Sequence, residues 1–319
     1  MRIKFTPVSM MSLMLAAVAV AACFQLSNTF AADATAPAAA TTAKAVTYTV
    51  NLSPPNKVGQ KATVVVDLEY KLVNHVAITS PNSPPQNQDS NTETKAHLEG
   101  EEEVLAVYPN GGIQKAALIL KAFTATTNGR AMMGLPEAGA KIVADKSGKT
   151  TAYTVDGHPA GAPGVVLLQM ILPMDDGKYT DQEKFGPQNP VAVGATWPVN
   201  SANMMDDFKD KPDGPVSGVN GTMKLDGITG TGADQVATIS GNITVEGVQP
   251  SLPPGATIDT SVVASALSGS VPATTTQGTA KKTMTTSGKI AAHGDTGGTS
   301  FKYNSTADKK QTETITYHQ

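Results

Sequence analysis

The segment Lys61–Val73, KATVVVDLEYKLV, decides the fold class of this chain. Its even-numbered positions are apolar, and its odd-numbered positions are mostly polar or charged. A period of two over this length is typical of a β-strand with one buried face and one solvent face. Since most strands have only about five or six residues, the segment predicts a large, curved antiparallel sheet.

Alternating segments separated by turns rich in glycine, proline and asparagine continue on both sides of this strand. The predicted strands are 46–52, 98–108, 113–126, 140–144, 150–155, 216–228, 235–246, 279–291, 300–305 and 311–317. The polar segment 80–94 is interpreted as a loop, and 307–309 as a turn. Residues 258–267 fit either a helix or a strand.

Two short segments predict helices. Residues 163–173, PGVVLLQMILP, are apolar and bounded by prolines, which favours a buried helix over 164–172. A buried strand remains the alternative, because periodicity does not distinguish the two over so short a run. Residues 201–209 predict a helical turn that buries Met204, Met205 and Phe208. The expected fold is therefore mainly β (α+β): a large curved antiparallel sheet or half-barrel of hairpins, with one or two short apolar helices packed against it.

The segment 185–200, FGPQNPVAVGATWPVN, contains Trp197, the only tryptophan of the chain. It contains no acidic residue, no basic residue and no cysteine, so we interpret Trp197 as a structural anchor. We expect its ring to cover the end of the 164–172 segment. Residues 46–319 are then one β-rich domain whose two halves are joined at 185–200.

Residues 1–32 have the pattern of a signal peptide, with a basic start followed by the apolar run 10–22. Two cleavage schemes are open. Val20-Ala21-Ala22-Cys23 resembles a lipobox, in which Cys23 is lipidated, whereas cleavage near 29–34 removes Cys23 with the leader. An Ala/Thr-rich linker, 33–45, follows. We expect an exported protein of the periplasm or cell envelope, membrane-anchored if Cys23 is lipidated, with no transmembrane segment in the mature chain.

Composition excludes several classes of function. The formal net charge is −3, and Arg130 is the only arginine after Arg2, which argues against nucleic-acid binding. Cys23 is the only cysteine, so the folded part has no disulfide and no thiolate metal site.

Motifs for catalysis, cofactor binding and metal binding are not found. We therefore predict no catalytic residues, no cofactor and no metal site. The five histidines lack metal-site spacing and are interpreted as surface or turn residues: His75, His97, His158, His293 and His318. Four aspartates lie close in sequence without the spacing of a calcium loop, leaving at most a weak cation site: Asp206, Asp207, Asp210 and Asp213.

The order of these parts resembles a loose group of uncharacterised exported bacterial β-rich proteins. That group has a Val-Gly-x-x-Trp motif, matched here by Val193-Gly194-Ala195-Thr196-Trp197. The pattern also looks similar to periplasmic lipoprotein carriers, in which a curved sheet wraps apolar helices. The resemblance implies an architecture and an exported location, with no activity or site residues.

Three functions from different classes remain open. The first is a non-catalytic envelope protein whose curved sheet binds a lipid or another apolar ligand; alternatively, segments 61–73 and 164–172 simply form one core. The second is a surface or adhesion module that binds polysaccharide or a protein partner through the Thr/Ser-rich second half. The third is an enzyme with a site assembled from distant carboxylates, which no motif supports, so we expect a protein that is not an enzyme.

Overall fold

A large antiparallel sheet organises the computed structural model, which describes residues 46–52, 55–81, 83–148, 150–174, 177–209, 215–232, 235–250, 252, 255–272, 278–296 and 298–318. Within these residues the sheet has thirteen strands in the order β10-β11-β12-β13-β14-β15-β2-β3-β4-β6-β7-β8, with β5 paired to β4. Strands β1 and β9 pair separately. The predicted fold class, mainly β with short helices, is confirmed.

The first half of the chain forms eight strands and a helix. These are β1 (Thr47–Tyr48), β2 (Lys61–Ser80), β3 (Ser83–Val107), β4 (Ile113–Thr127), β5 (Arg130–Ala131), β6 (Lys141–Asp145), β7 (Ala152–Val155), β8 (His158–Pro159) and α1 (Ala162–Ile171). The second half forms α2 (Asp181–Phe185), β9 (Val191–Ala192), β10 (Thr196–Pro198), α3 (Ser201–Phe208), β11 (Gly218–Thr229), β12 (Val236–Glu246), β13 (Ala256–Pro272), β14 (Gly278–Thr296) and β15 (Thr299–His318). Both predicted helices are confirmed, so the 164–172 segment is helical.

The last strand joins the two halves of the sheet. β15 pairs with β14 on one side and with β2 on the other, and neither pairing contains a register shift. Because side chains alternate along a strand, an unbroken register fixes which residues of β15 face inward. The proposal that 185–200 acts as a hinge between two halves stays a prediction.

The predicted polar loop at 80–94 is wrong, because these residues extend β2 and β3 as a long hairpin. Main-chain pairing holds the two arms together, from Thr94↔Tyr70 outward to Ser83↔Ser80. Pro84 is tolerated because this part of β3 lies beyond β4, whose pairing begins at Thr94. Hydrophobic patterning does not detect strands whose faces are both in water.

The predicted turn at 307–309 is also wrong. β15 runs through these residues as one strand, with Lys309 opposite Thr286 of β14 and Tyr70 of β2. The open choice at 258–267 is settled as strand, since these residues lie within β13. The two predicted strands 300–305 and 311–317 are therefore parts of one long strand, β15.

The two largest apolar cores among the described residues form on the inner face, which we define as the face against which the helices pack. The amino-half core combines inward residues of β2, β3, β4, β6 and β7 with Leu167, Leu168, Met170 and Ile171 of α1. The carboxy-half core combines inward residues of β10 to β14 with α2 and α3, including Phe185, Met204 and Phe208. Met205 is only partly buried. Each half of the sheet thus buries its apolar face under its own helices.

Candidate functional site

A row of polar side chains lies on the inner face, between the two apolar cores. We call it the polar seam and define it as Lys282 and Thr286 of β14 with Lys309, Gln311 and Glu313 of β15. Lys309 is 4% exposed and Lys282 is 6% exposed. Lysine is almost never buried without a partner or a function, so this seam is the strongest candidate site in the described part of the chain.

The fold places these residues inside through the parity of β15. Phe301 and Tyr303 near its start and Tyr317 near its end are buried at odd-numbered positions. Since the strand has no bulge against either neighbour, the odd positions between them must face inward too. Lys309, Gln311 and Glu313 occupy those positions.

The seam binds the carboxyl end of α1. Lys309 Nζ donates a hydrogen bond to the carbonyl of Met170 at 3.0 Å, and Gln311 Nε2 donates to the carbonyl of Ile171 at 3.4 Å. The last carbonyls of a helix lack partners within the helix and carry partial negative charge. Helix α1 has no basic residue in its own last turn. The sheet therefore supplies the donors that the helix sequence lacks.

Burial strongly changes the acid–base properties of the seam. Burial, together with the positive charge of Lys282 and against the opposing effect of Glu313, lowers the pKa of Lys309 to about 7. Glu313 lies 3.8 Å from Lys282. Burial also raises the pKa of the half-buried Glu102 to about 7, with the charge of Glu313 adding to the rise. Two groups near this seam thus titrate close to neutrality.

Two buried hydrogen-bond donors of the inner face, on Lys309 and Tyr70, are not fully used. Among the described residues, Lys309 bonds only to Met170 and has no carboxylate within 4.0 Å. The hydroxyl of Tyr70, directly across the strand pair, is buried and has no partner among those residues. Burial raises the pKa of Tyr70, so the hydroxyl keeps its proton. Lys309 and Tyr70 together offer an acceptor group a place to bind.

Of the two site residues expected from sequence, Cys23 lies outside the described residues and its lipidation stays a prediction. Trp197 is 8% exposed, and its Nε1 donates to the carbonyl of Phe185 at 2.6 Å. The expectation that its ring covers the 164–172 segment is wrong. β10 places Trp197 opposite Met223 at the far edge of the sheet, in the carboxy-half core. Its role as an anchor stays a prediction.

Asp206 and Asp207 each lie beside a lysine of the chain. Asp206 accepts hydrogen bonds from three side chains, which hold its pKa well below the usual range: Tyr179, Lys178 and Lys209. Asp207 is buried 3.9 Å from Lys184. Asp210 and Asp213 lie outside the described residues. Asp206 therefore offers little to an added cation.

Four histidines each lie beside a carboxylate on the outer face, at 2.5–3.3 Å: His75 with Asp89, His97 with Asp67, His293 with Asp259 and His318 with Glu101. Every one of these side chains is at least 40% exposed. Across the described ranges, no three His, Cys, Asp or Glu side chains are grouped to hold a metal ion. These pairs are weak surface interactions.

Sequence reasoning missed the polar seam because the apparent turn at 307–309 split β15 in two. One signal was present. Phe301 and Tyr303 share odd parity with Ile315 and Tyr317, so a single strand with a polar middle would have placed Lys309 inside.

No protein-family model matches the chain, and comparison with curated proteins finds no match. Among solved structures, Ail, the attachment invasion locus protein of Yersinia pestis, aligns over 80% of this chain and 99% of its own. The identity is 3% and the TM-score 0.12. The CymD monoaromatic hydrocarbon channel aligns over 82% of this chain and 90% of its own, with 10% identity and a TM-score of 0.10. Similarity this low supports no conclusion about fold or function. Within the ranges described above, no helix is both long and apolar enough to cross a bilayer.

Proposed function

We propose that this chain is a non-catalytic protein of the bacterial envelope that binds an apolar ligand on the inner face of its sheet. The leader and linker of the sequence support the location. The observation that supports binding is the cover of the amino-half core, which is a short helix, α1, of low intrinsic stability.

Helix α1 has little intrinsic stability. Its N-cap is Gly161, which makes no side-chain capping bond, and its first turn contains no acidic residue. Gly164 and the β-branched Val165 and Val166 are poor helix formers. Its helical state therefore depends on packing against the sheet, and such elements open locally at lower cost than the rest of a fold.

Opening of α1 would expose a continuous apolar surface. Beneath it lie inward side chains of β2, β3 and β4, among them Leu68, Leu98 and Leu120, each at most 2% exposed. An apolar ligand that replaces α1 would keep this surface out of water, with about 25 cal/mol gained per Å² covered. The polar seam lies at the carboxyl end of the same helix.

The seam favours binding over catalysis. Its hydroxyl, on Thr286, bonds only to Ser265 among the described residues, so it has no activating base. Lys309 bonds a helix carbonyl, which positions the helix. The bond from Lys309 therefore helps to hold α1 on the sheet, and the bond of Thr286 does not activate its hydroxyl as a nucleophile.

Native mass spectrometry of protein taken from its own envelope, followed by a titration with the neutral dye N-phenyl-1-naphthylamine after delipidation, tests the proposal. We expect an apolar adduct in the first and saturable fluorescence in the second. Hydrogen exchange should show changed protection in α1 on dye binding, while α3 (Ser201–Phe208), which covers the other core, serves as the internal control. Absence of both adduct and saturable fluorescence would refute the proposal.

A second candidate, an adhesion module, is favoured by the outer face of β14 and β15. Hydroxyls line up across these strands, with Thr279 and Thr316 3.2 Å apart and Thr283 and Thr312 3.4 Å apart. An open cleft of about 550 Å³ lies at one end of the sheet, and Lys302 is one of the residues that line it. Glycan arrays and pull-downs from envelope extracts test this candidate, and no binding in either would remove it.

A further inference from the structure

We propose that Lys309 and Tyr70 bind the head group of the apolar ligand, and that this head group is a carboxylate. This inference rests on the proposed function, because it names the chemical class of the same ligand. The supporting observations are unused hydrogen-bond donors, a buried positive charge and the position of these groups at the carboxyl end of α1.

The unused donors lie on neighbouring strands of one face. Lys309 and Tyr70 are direct cross-strand partners, so their side chains leave the sheet about 5 Å apart. The Lys309 ammonium has three N–H groups and uses one, toward Met170. The Tyr70 hydroxyl uses none among the described residues. A carboxylate has two oxygens and can accept from both groups at once.

Lys309 lacks a carboxylate at ion-pair distance in the described part of the chain. Three charged groups face this part of the seam: Lys282 on β14, Glu313 on β15 and the half-buried Glu102 on β3. Glu313 is closest to Lys282, at 3.8 Å. Lys309 has no carboxylate within 4.0 Å among the described residues. The charge of Glu313 offsets the burial of Lys309 only in part, since the pKa of the amine stays low, and a ligand carboxylate at ion-pair distance would lower the remaining cost.

The tail of the ligand has a defined path. Leu68 and Leu72 are both buried and flank Tyr70 on the same face of β2. Both belong to the amino-half core, which α1 covers. A head group at Tyr70 therefore places an attached alkyl chain on the apolar surface beneath that helix.

Head-group binding also acts on the cover. The carbonyl of Met170 accepts from Lys309 at the end of α1, where the helix has partial negative charge. A carboxylate bound to the same ammonium would lie beside this carbonyl and repel the negative end of the helix. Binding of the head group would thus help to release α1 and admit the tail.

A structural role alone would explain part of the seam, since Lys309 and Gln311 satisfy carbonyls of α1. It does not explain the Tyr70 hydroxyl, which satisfies nothing there. The two accounts differ in a measurable way, because only ligand recognition makes affinity depend on the charge of the ligand.

The test compares cis-parinaric acid with its methyl ester by fluorescence titration of the delipidated protein at about pH 6. We expect the acid to bind at least about tenfold more tightly than the ester. Lys309→Met should reduce this preference to near unity and Tyr70→Phe should reduce it severalfold, whereas Lys310→Met, on the outer face of the same strand, should leave it unchanged. Lys309→Gln keeps a donor for Met170 without the charge, and should lose the preference as well.

Each outcome has a separate meaning. Equal affinity for acid and ester in the unmodified protein overturns this inference and leaves the proposed function standing. Failure of both probes to bind overturns the proposed function. If Lys309→Met does not fold, Lys309→Gln and the acid-to-ester ratio of the unmodified protein still decide. A preference for the acid that survives in a folded Lys309→Gln variant also overturns the assignment.

Discussion

Replacing Lys309 with methionine should change the pH dependence of stability in a direction set by burial. The amine has a pKa of about 7 in the folded chain, against 10.5 for an ordinary lysine. The unfolded chain therefore binds more protons than the folded chain between pH 7 and 10.5. Stability contributed by this group must rise with pH through that window.

The magnitude follows from the two pKa values. At about pH 6 the buried charge costs roughly 4–5 kcal/mol, at 1.4 kcal/mol per pKa unit. By about pH 9 the remaining cost is roughly 2 kcal/mol. The free energy of unfolding of the unmodified protein should thus rise by about 2–3 kcal/mol relative to Lys309→Met between these pH values. Methionine also leaves the Met170 carbonyl without its donor, at a cost of about 1–3 kcal/mol.

The variant is therefore expected to be the more stable protein at pH 6, with the difference close to zero at pH 9. Urea unfolding followed by the emission of Trp197, the only tryptophan, measures both proteins at each pH. Lys310→Met removes an exposed lysine from the adjacent position of β15 and controls for the loss of a charge. A difference between Lys309→Met and the unmodified protein that stays constant from pH 6 to 9 would refute the burial of a charged amine in the seam.

Four further substitutions have expected outcomes. Trp197→Ala should cost about 3–5 kcal/mol in urea unfolding followed by circular dichroism, and a water-exposed emission maximum in the unmodified protein would contradict the anchor role. Gly164→Ala should stabilise the fold by up to about 1 kcal/mol in the same assay, because its methyl group meets nothing within 4 Å. Gly100→Ala should instead destabilise the fold, because a Cβ there would lie 2.7 Å from a main-chain oxygen. Equal effects of the two glycine substitutions on the free energy of unfolding would count against the packing described. Tyr153→Phe removes the 2.7 Å bond to the carbonyl of Leu172, so amide exchange in α1 should accelerate, and unchanged exchange would show that this bond does not hold the helix.

The strand at Lys61–Val73 and the helix at 164–172 could be predicted because each buries apolar side chains in a regular pattern. The hairpin at 80–94 could not, since its polar arms are held by main-chain pairing that leaves no hydrophobic signal. Lys309 was missed for a related reason. Period-two patterning assumes that inward residues are apolar, and β15 places an amine, an amide and a carboxylate inward in succession. Two features lower the free-energy cost of this arrangement. Glu313 is partly exposed to water, and the carboxyl end of α1 offers a carbonyl to Lys309.

The two cleavage schemes differ in the fate of Cys23, which lies outside the described residues. Mass measurement of the mature amino terminus would distinguish lipidation at Cys23 from cleavage near 29–34.

The central claim is that the Lys309 amine binds the carboxylate head group of the ligand. Titration of the Lys309 Cε resonance in protein labelled with ¹³C-lysine, assigned with Lys309→Met, tests it most directly. We predict a midpoint of about 7 without ligand, because burial disfavours the charged amine. The midpoint should rise when cis-parinaric acid is added and should not rise with the methyl ester. A midpoint that is the same in the presence of acid, ester or neither would contradict the account.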